Sequence, residues 1–228
     1  MQIMLAIETS QREGSVALRD QQGTVHLEQL QSARRHDDDL LPAIDRLMAR
    51  CGLKPSDLSS VAVSVGPGGF TGLRIAVTTA KMFAEALKVH LVAVPSALVA
   101  AEGTPGGALA RLVALAGKAD TFWATMLQRP AIGEPWQIIG EPALMDHQQM
   151  PITGIDEVLA DDHLPAAARQ VCEQAGLSIT PPQFSAEACL RVAQPLLEAR
   201  GPVDPLYLVP IYPRQPEAVS LWQARKDA

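Results

Sequence analysis

One stretch constrains the fold more than any other: Val61 to Leu87, VAVSVGPGGFTGLRIAVTTAKMFAEAL. Val61 to Val65 is a short β-branched run of the kind that fills a buried strand. Gly66, Pro67, Gly68 and Gly69 stop it, because glycine tolerates positive φ and proline removes a donor. A helix is predicted to follow, capped by Thr71 with Gly72 in its first turn. Helical spacing places Leu73, Ala76, Val77, Ala80, Phe83, Ala84 and Leu87 on one face. Ile75, Thr79, Met82 and Ala86 fall on a neighbouring face, and only Arg74, Lys81, Glu85 and Lys88 are charged. A helix apolar over so much of its circumference is expected to be covered on two sides, by its own core and by something else.

The chain of 228 residues suits one large domain or two small lobes. A net charge of −6 argues against independent RNA or DNA binding and against anionic membrane surfaces, both of which draw on clustered Lys and Arg. Cys51, Cys172 and Cys189 lack metal-finger spacing, and such a scattered, odd set fits reduced thiols in a cytoplasmic protein. The N-terminal apolar run is too short, and Glu8 too early, for a secretory signal.

In order, Gln2 to Ile7, Gly14 to Arg19 and Thr24 to Leu30 read as three strands joined by short polar turns, hence an antiparallel meander. Asp37, Asp38 and Asp39 are read as a helix start, with Asp39 as its cap, rather than as a metal triad. Leu40, Leu41, Ile44, Leu47, Met48 and Cys51 then form one apolar stripe. Leu91 to Val94 is a further strand and Ser96 to Glu102 a helix. Two strand–helix–strand crossovers imply parallel neighbours after the meander. The predicted fold class is therefore α/β: a mixed five-strand sheet with helices, the layout of the ribonuclease-H-like, actin-like ATPase lobe. Gly103 to Gly107 marks the expected boundary between a lobe of residues 1–102 and a second, divergent lobe of residues 103–228 with a proline-rich tail. There, Leu109 to Leu115 and Thr121 to Leu127 are expected as a hairpin and Trp136 to Ile139 as another strand. Leu164 to Ala175 and Ala186 to Ala199 are expected as helices, and Gly201 to Pro216 as extended chain. No internal repeat is evident.

Two turns could meet a phosphate. Gly66-Pro-Gly-Gly-Phe-Thr-Gly lies between strand and helix, where backbone N–H groups can receive an anion. It is not a P-loop, since no Gly-Lys-Ser/Thr follows. The plainer reading is a close-packed turn that lets the helix lie on the sheet. Glu8-Thr9-Ser10 ends the first strand, where a carboxylate can orient Mg²⁺ or water, or where the turn simply bonds to itself. The five histidines, His26, His36, His90, His147 and His163, are isolated from one another and from Cys at ligand spacing, which disfavours a metal site. No Gly-x-Ser-x-Gly elbow is present.

Together, MLAIETS at the N-terminus, HDDDLLPAIDRLM from His36 to Met48, and the stretch from Val61 to Ala84 resemble the bacterial TsaB (YeaZ) family. The resemblance covers about the first hundred residues. PLYLVP, from Pro205 to Pro210, is similar to the family's terminal PxYLR, with Val209 in place of arginine. Gly117-Lys118-Ala119 and Ala160-Asp161-Asp162 depart from the family's pattern in the second lobe.

The resemblance implies a two-lobed actin-like fold and a role in making tRNA threonylcarbamoyladenosine (t6A). It implies a non-catalytic scaffold that pairs with a TsaD-like catalytic subunit, joined by a TsaE-like ATPase, with tRNA met only through the complex. The implied interface is Leu40, Leu41, Ile44, Leu47, Met48, Ile75, Thr78, Thr79, Met82 and Phe83. Candidate vestigial nucleotide-binding residues are Glu8, Thr9, Ser10, Gly66, Gly68, Gly69, Thr71 and Gly72. No catalytic residue, metal or cofactor is expected on this chain alone; ATP and Mg²⁺ would enter only at the level of the complex. Identical apolar helices can also pair isologously, which makes a homodimer an alternative. The rival readings are an ATP-dependent phosphotransferase of the same fold and a peptidase. The first would need a phosphate loop in each lobe, and the second a metal-ligand pair.

Overall fold

The computed structural model describes residues 2–31, 36–214 and 222, and gives no side-chain placement for 36–38. The predicted meander forms as β1 (Met4–Glu8), β2 (Ser15–Arg19) and β3 (Val25–Gln29). Helix α1 (His36–Arg50) follows, then β4 (Ser60–Gly66), α2 (Phe70–Leu87), β5 (His90–Pro95) and α3 (Ser96–Gly103). The strand order is β3-β2-β1-β4-β5, antiparallel through the meander and parallel across β1, β4 and β5. The crossover rule anticipated this arrangement.

Two helix starts differ from expectation. Helix α1 begins at His36, so Asp39 lies inside it rather than capping it. Its buried carboxylate accepts from the Gln31 N–H at 2.7 Å and from Arg46 at 3.2 Å. The side chains of His36, Asp37 and Asp38 lie outside the described residues, and with them the acidic-triad question. Helix α2 begins at Phe70 with Gly69 as its N-cap, which moves the cap two residues before Thr71.

The second half of the chain builds the same topology again. After β6 (Ala110–Lys118), β7 (Thr121–Gln128) and β8 (Gln137–Asp146) come β9 (Glu157–Ala160), α4 (Ala166–Gln174) and β10 (Ser178–Thr180). Helix α5 (Ala186–Arg200) follows β10. The order β8-β7-β6-β9-β10, antiparallel in the first two pairings and parallel in the last two, matches the first sheet strand for strand. The repeat is topological and left no trace in the sequence. Strands β9 and β10 are four and three residues long, too short for an alternation to show. Pro142 sits in β8, at the sheet edge, where a missing donor costs least.

The helices that end the two halves are exchanged. On β1, Leu5 and Ile7 face α1 and α2, while Met4 and Ala6 face a second core formed with Ala186, Cys189, Leu190 and Ala193 of α5. Conversely, Ala97, Leu98, Ala100 and Ala101 of α3 join Val113, Leu115, Leu127 and Leu159 of the second sheet. Each closing helix thus covers the other half's sheet, so the lobes share their cores. Ser185 caps α5, its side chain accepting from the Ala188 N–H at 3.1 Å. Ser185→Ala should cost about 1 kcal/mol, read as a lower urea midpoint at unchanged slope. Among the described residues no helix is long and apolar enough to cross a membrane.

Candidate functional site

The C-terminal edge of the first parallel strands carries both candidate turns. Glu8, Thr9 and Ser10 leave β1 fully buried. The Ser10 N–H donates to Glu8 Oε1 at 2.6 Å, and the Thr9 hydroxyl donates to the Gly72 carbonyl at 2.8 Å. The Gly69 N–H, at the mouth of α2, donates to the Ser10 carbonyl at 2.7 Å. A Cβ on Gly68 would overlap that same Ser10 carbonyl, so only glycine lets the two turns lie this close. The structure therefore brings Glu8, Thr9, Ser10, Gly68, Gly69 and Gly72 together, with Gly66 at the end of β4. Thr71 points outward from the first turn of α2.

The effect is chemical as well as steric. Two backbone donors that could receive a phosphate, those of Ser10 and Gly69, are already bonded within the chain. Burial holds the Glu8 carboxyl above its usual range, and the Ser10 and Ser64 hydrogen bonds only partly offset this. Its Oε2 is buried without a hydrogen bond. Among the described residues, no group of three His, Cys, Asp or Glu could hold a metal ion.

The second lobe repeats this packing with the parts exchanged. Gly117, near the end of β6, lies against the His163 carbonyl in the loop after β9, so closely that a Cβ would overlap it. In each lobe the end of the first strand, or the turn after it, meets the loop after the fourth strand through one glycine.

The other candidate surface is the α1–α2 face. Leu40, Ile44, Leu47, Met48, Thr79 and Phe83 are sealed in the chain's own core. Leu41 and Met82 remain exposed, at 48% and 47%; Thr78 is exposed and Ile75 half-buried. The broad apolar circumference of α2 is thus divided. Its core face meets the sheet, α1 packs alongside, and a narrower strip stays open. Thr71, Arg74, Ile75, Thr78 and Thr79 line a shallow depression on it. Sequence reasoning missed Arg214 and the segment before it, which run past α2 to the second lobe. The PLYLVP motif was the one signal that this segment had a fixed place.

Two five-strand mixed sheets with exchanged closing helices define a two-lobed protein of the actin-like, ribonuclease-H-like class. The family model described as "TsaD: tRNA N6-adenosine threonylcarbamoyltransferase" matches residues 21–183. The tRNA threonylcarbamoyladenosine biosynthesis protein TsaB of Bacillus subtilis is 38% identical over 94 residues, 41% of either chain. Its Escherichia coli counterpart is 28% identical over 158 residues, 66% of this chain and 68% of that one. The match thus spans about two fifths of the first relative's length and about two thirds of the second's. The solved structure titled "YeaZ from Pseudomonas aeruginosa" superposes with a TM-score of 0.73 at 25% identity, covering 93% of this chain and all of that one. The chain belongs to the TsaB/YeaZ family, within the wider TsaD family whose model it matches.

Proposed function

We propose that this chain is a scaffold subunit in t6A synthesis that docks a TsaD-like catalytic subunit through the open strip of α1 and α2. The observation that carries this reading is the exposure of Leu41 and Met82 on adjacent helices whose other apolar residues mostly lie in the core. Large apolar side chains exposed together on a helix pair fit a protein partner, and a related two-lobed subunit offers a complementary helix pair. The self-bonded turns support the absence of catalysis on this chain alone. In this reading a TsaE-like ATPase and tRNA join through the complex, and any ATP and Mg²⁺ act there.

The test is affinity for the cognate TsaD-like subunit, measured by calorimetry or light scattering. Leu41→Asp and Met82→Asp each place a charge in the strip without touching the core. Each should weaken binding at least about tenfold, equivalent to about 1.4 kcal/mol. Unchanged affinity in both variants would falsify this placement. Light scattering of the chain alone reads the homodimer alternative. Calorimetry with Mg-ATP addresses the phosphotransferase reading, which requires stoichiometric binding to the unpartnered chain.

A further inference from the structure

The segment from Gly201 to Arg214 follows α5 as a strap with anchors on both lobes. On the first lobe, the Val203 N–H donates to the Leu91 carbonyl at 2.9 Å. Lys81 of α2 donates to the Leu208 carbonyl at 3.2 Å, and the Leu208 side chain is buried in the core under α2. The Ile211 N–H then donates to the carbonyl of Val65, near the C-terminal end of β4, at 2.7 Å. Tyr212 stacks on Phe70, with ring centroids 5.0 Å apart. On the second lobe, the Arg214 guanidinium donates to the Ala116 carbonyl at 2.6 Å, the Thr121 carbonyl at 2.9 Å and the Thr121 hydroxyl at 2.8 Å. Those acceptors flank the β6–β7 turn, one of them beside Gly117.

We infer that this strap is a lobe latch, in which Ile211 and Arg214 tie the C-terminal edge of β4 to the β6–β7 turn and fix how far the two lobes stand apart there, across the crevice that their parting would open. The argument is one of length. Three residue steps, no more than about 11 Å of backbone even when fully extended, and the Arg214 side chain separate the two anchors. While both ends hold, the edges carrying the two glycine-packed turn pairs can separate only by the slack in that link. Arg214 suits the far anchor, because its planar fork meets several acceptors at once, which a lysine ammonium on a flexible stem does not. Leu208 stays seated in the first lobe's core, and α3 and α5 pack on the other faces of the sheets, so releasing either end of the link from Ile211 to Arg214 frees the opening motion without dismantling either sheet.

Arg214→Ala and Ile211→Pro release opposite ends of one tether, the second by removing the N–H donor. Spin labels at Glu13→Cys and Asp162→Cys, exposed positions on the two facing edges, report the crevice in a Cys51→Ser background; Cys172 and Cys189 are buried. Pulsed electron spin distance measurements should give one narrow distribution in the parent. Both release variants should give a longer and broader one, with unchanged far-ultraviolet circular dichroism. A strap that merely adds local stability would lower the melting temperature and leave the distances alone. An unchanged distribution in Arg214→Ala overturns the latch, whatever Ile211→Pro does.

Discussion

Arg111→Ala should destabilise the chain by about 3–5 kcal/mol, the range expected when one partner of a buried ion pair is removed. Arg111 lies on β6 with its side chain fully buried, the largest such side chain among the described residues. Its guanidinium contacts the Glu157 carboxylate on β9 at 2.8 Å. It also donates to the carbonyls of Ala101 at 2.6 Å and Thr104 at 2.9 Å, at the end of α3, and lies 5.0 Å from the Trp136 ring centre. One cation thus satisfies the open carbonyl end of a helix from the first half and a carboxylate of the second sheet. Alanine would leave those carbonyls without donors, strand a largely buried carboxylate and open a void. Arg111→Met separates these effects. It refills most of the volume but supplies no donor, so about 1–3 kcal/mol of the loss should persist. Urea denaturation of the three proteins reads both numbers. A loss under about 1 kcal/mol in Arg111→Ala would mean that water or a rearranged Lys takes over the role.

Arg111 also shows where sequence reading stopped. It sits in LARLVALAGK, a strand otherwise apolar, and nothing local distinguishes a buried arginine from an exposed one at a strand edge. Its partners come from residues 101, 104 and 157, and only the folded chain assembles them. The first lobe was more legible for a physical reason. Its strands are long enough for β-branched runs to stand out, and its helices carry clear stripes from Leu40 to Met48 and from Leu73 to Leu87. The second lobe hides its repeat because β9 and β10 are short and no helix stands between β8 and β9. At the candidate site, the glycine turn and Glu8 to Ser10 were visible as motifs. Their mutual contact was not, because it depends on β1 and β4 lying side by side in the sheet. The interface stripe was over-read for the same reason. A helix pattern gives the apolar circumference, but only the sheet and α1 decide how much of it stays open.

Glu8 joins the closed turn pair to a pH effect whose sign follows from its surroundings. Burial raises its carboxyl above the ordinary value of 4.5, against the smaller pull of the Ser10 and Ser64 hydrogen bonds. The folded state therefore holds this proton more tightly than the unfolded chain does. The associated stability is fully present below about pH 4.5 and is lost as pH rises through the folded value. Glu8→Gln keeps an oxygen to accept from the Ser10 N–H and removes the buried charge. The variant should match the parent near pH 4 and exceed it at pH 8, because only the parent then carries a buried charge. Asp20, Glu28 and Asp156 have lowered values and push stability the other way, rising with pH as their partners hold them ionised. They are common to both proteins, so the difference between the two pH profiles isolates Glu8. A difference that stays constant from pH 4 to 8 would show that the carboxyl is relieved by water or by an open crevice. In that case the turn pair is looser than its hydrogen bonds imply, and the two engaged donors at Ser10 and Gly69 become available to an anion again.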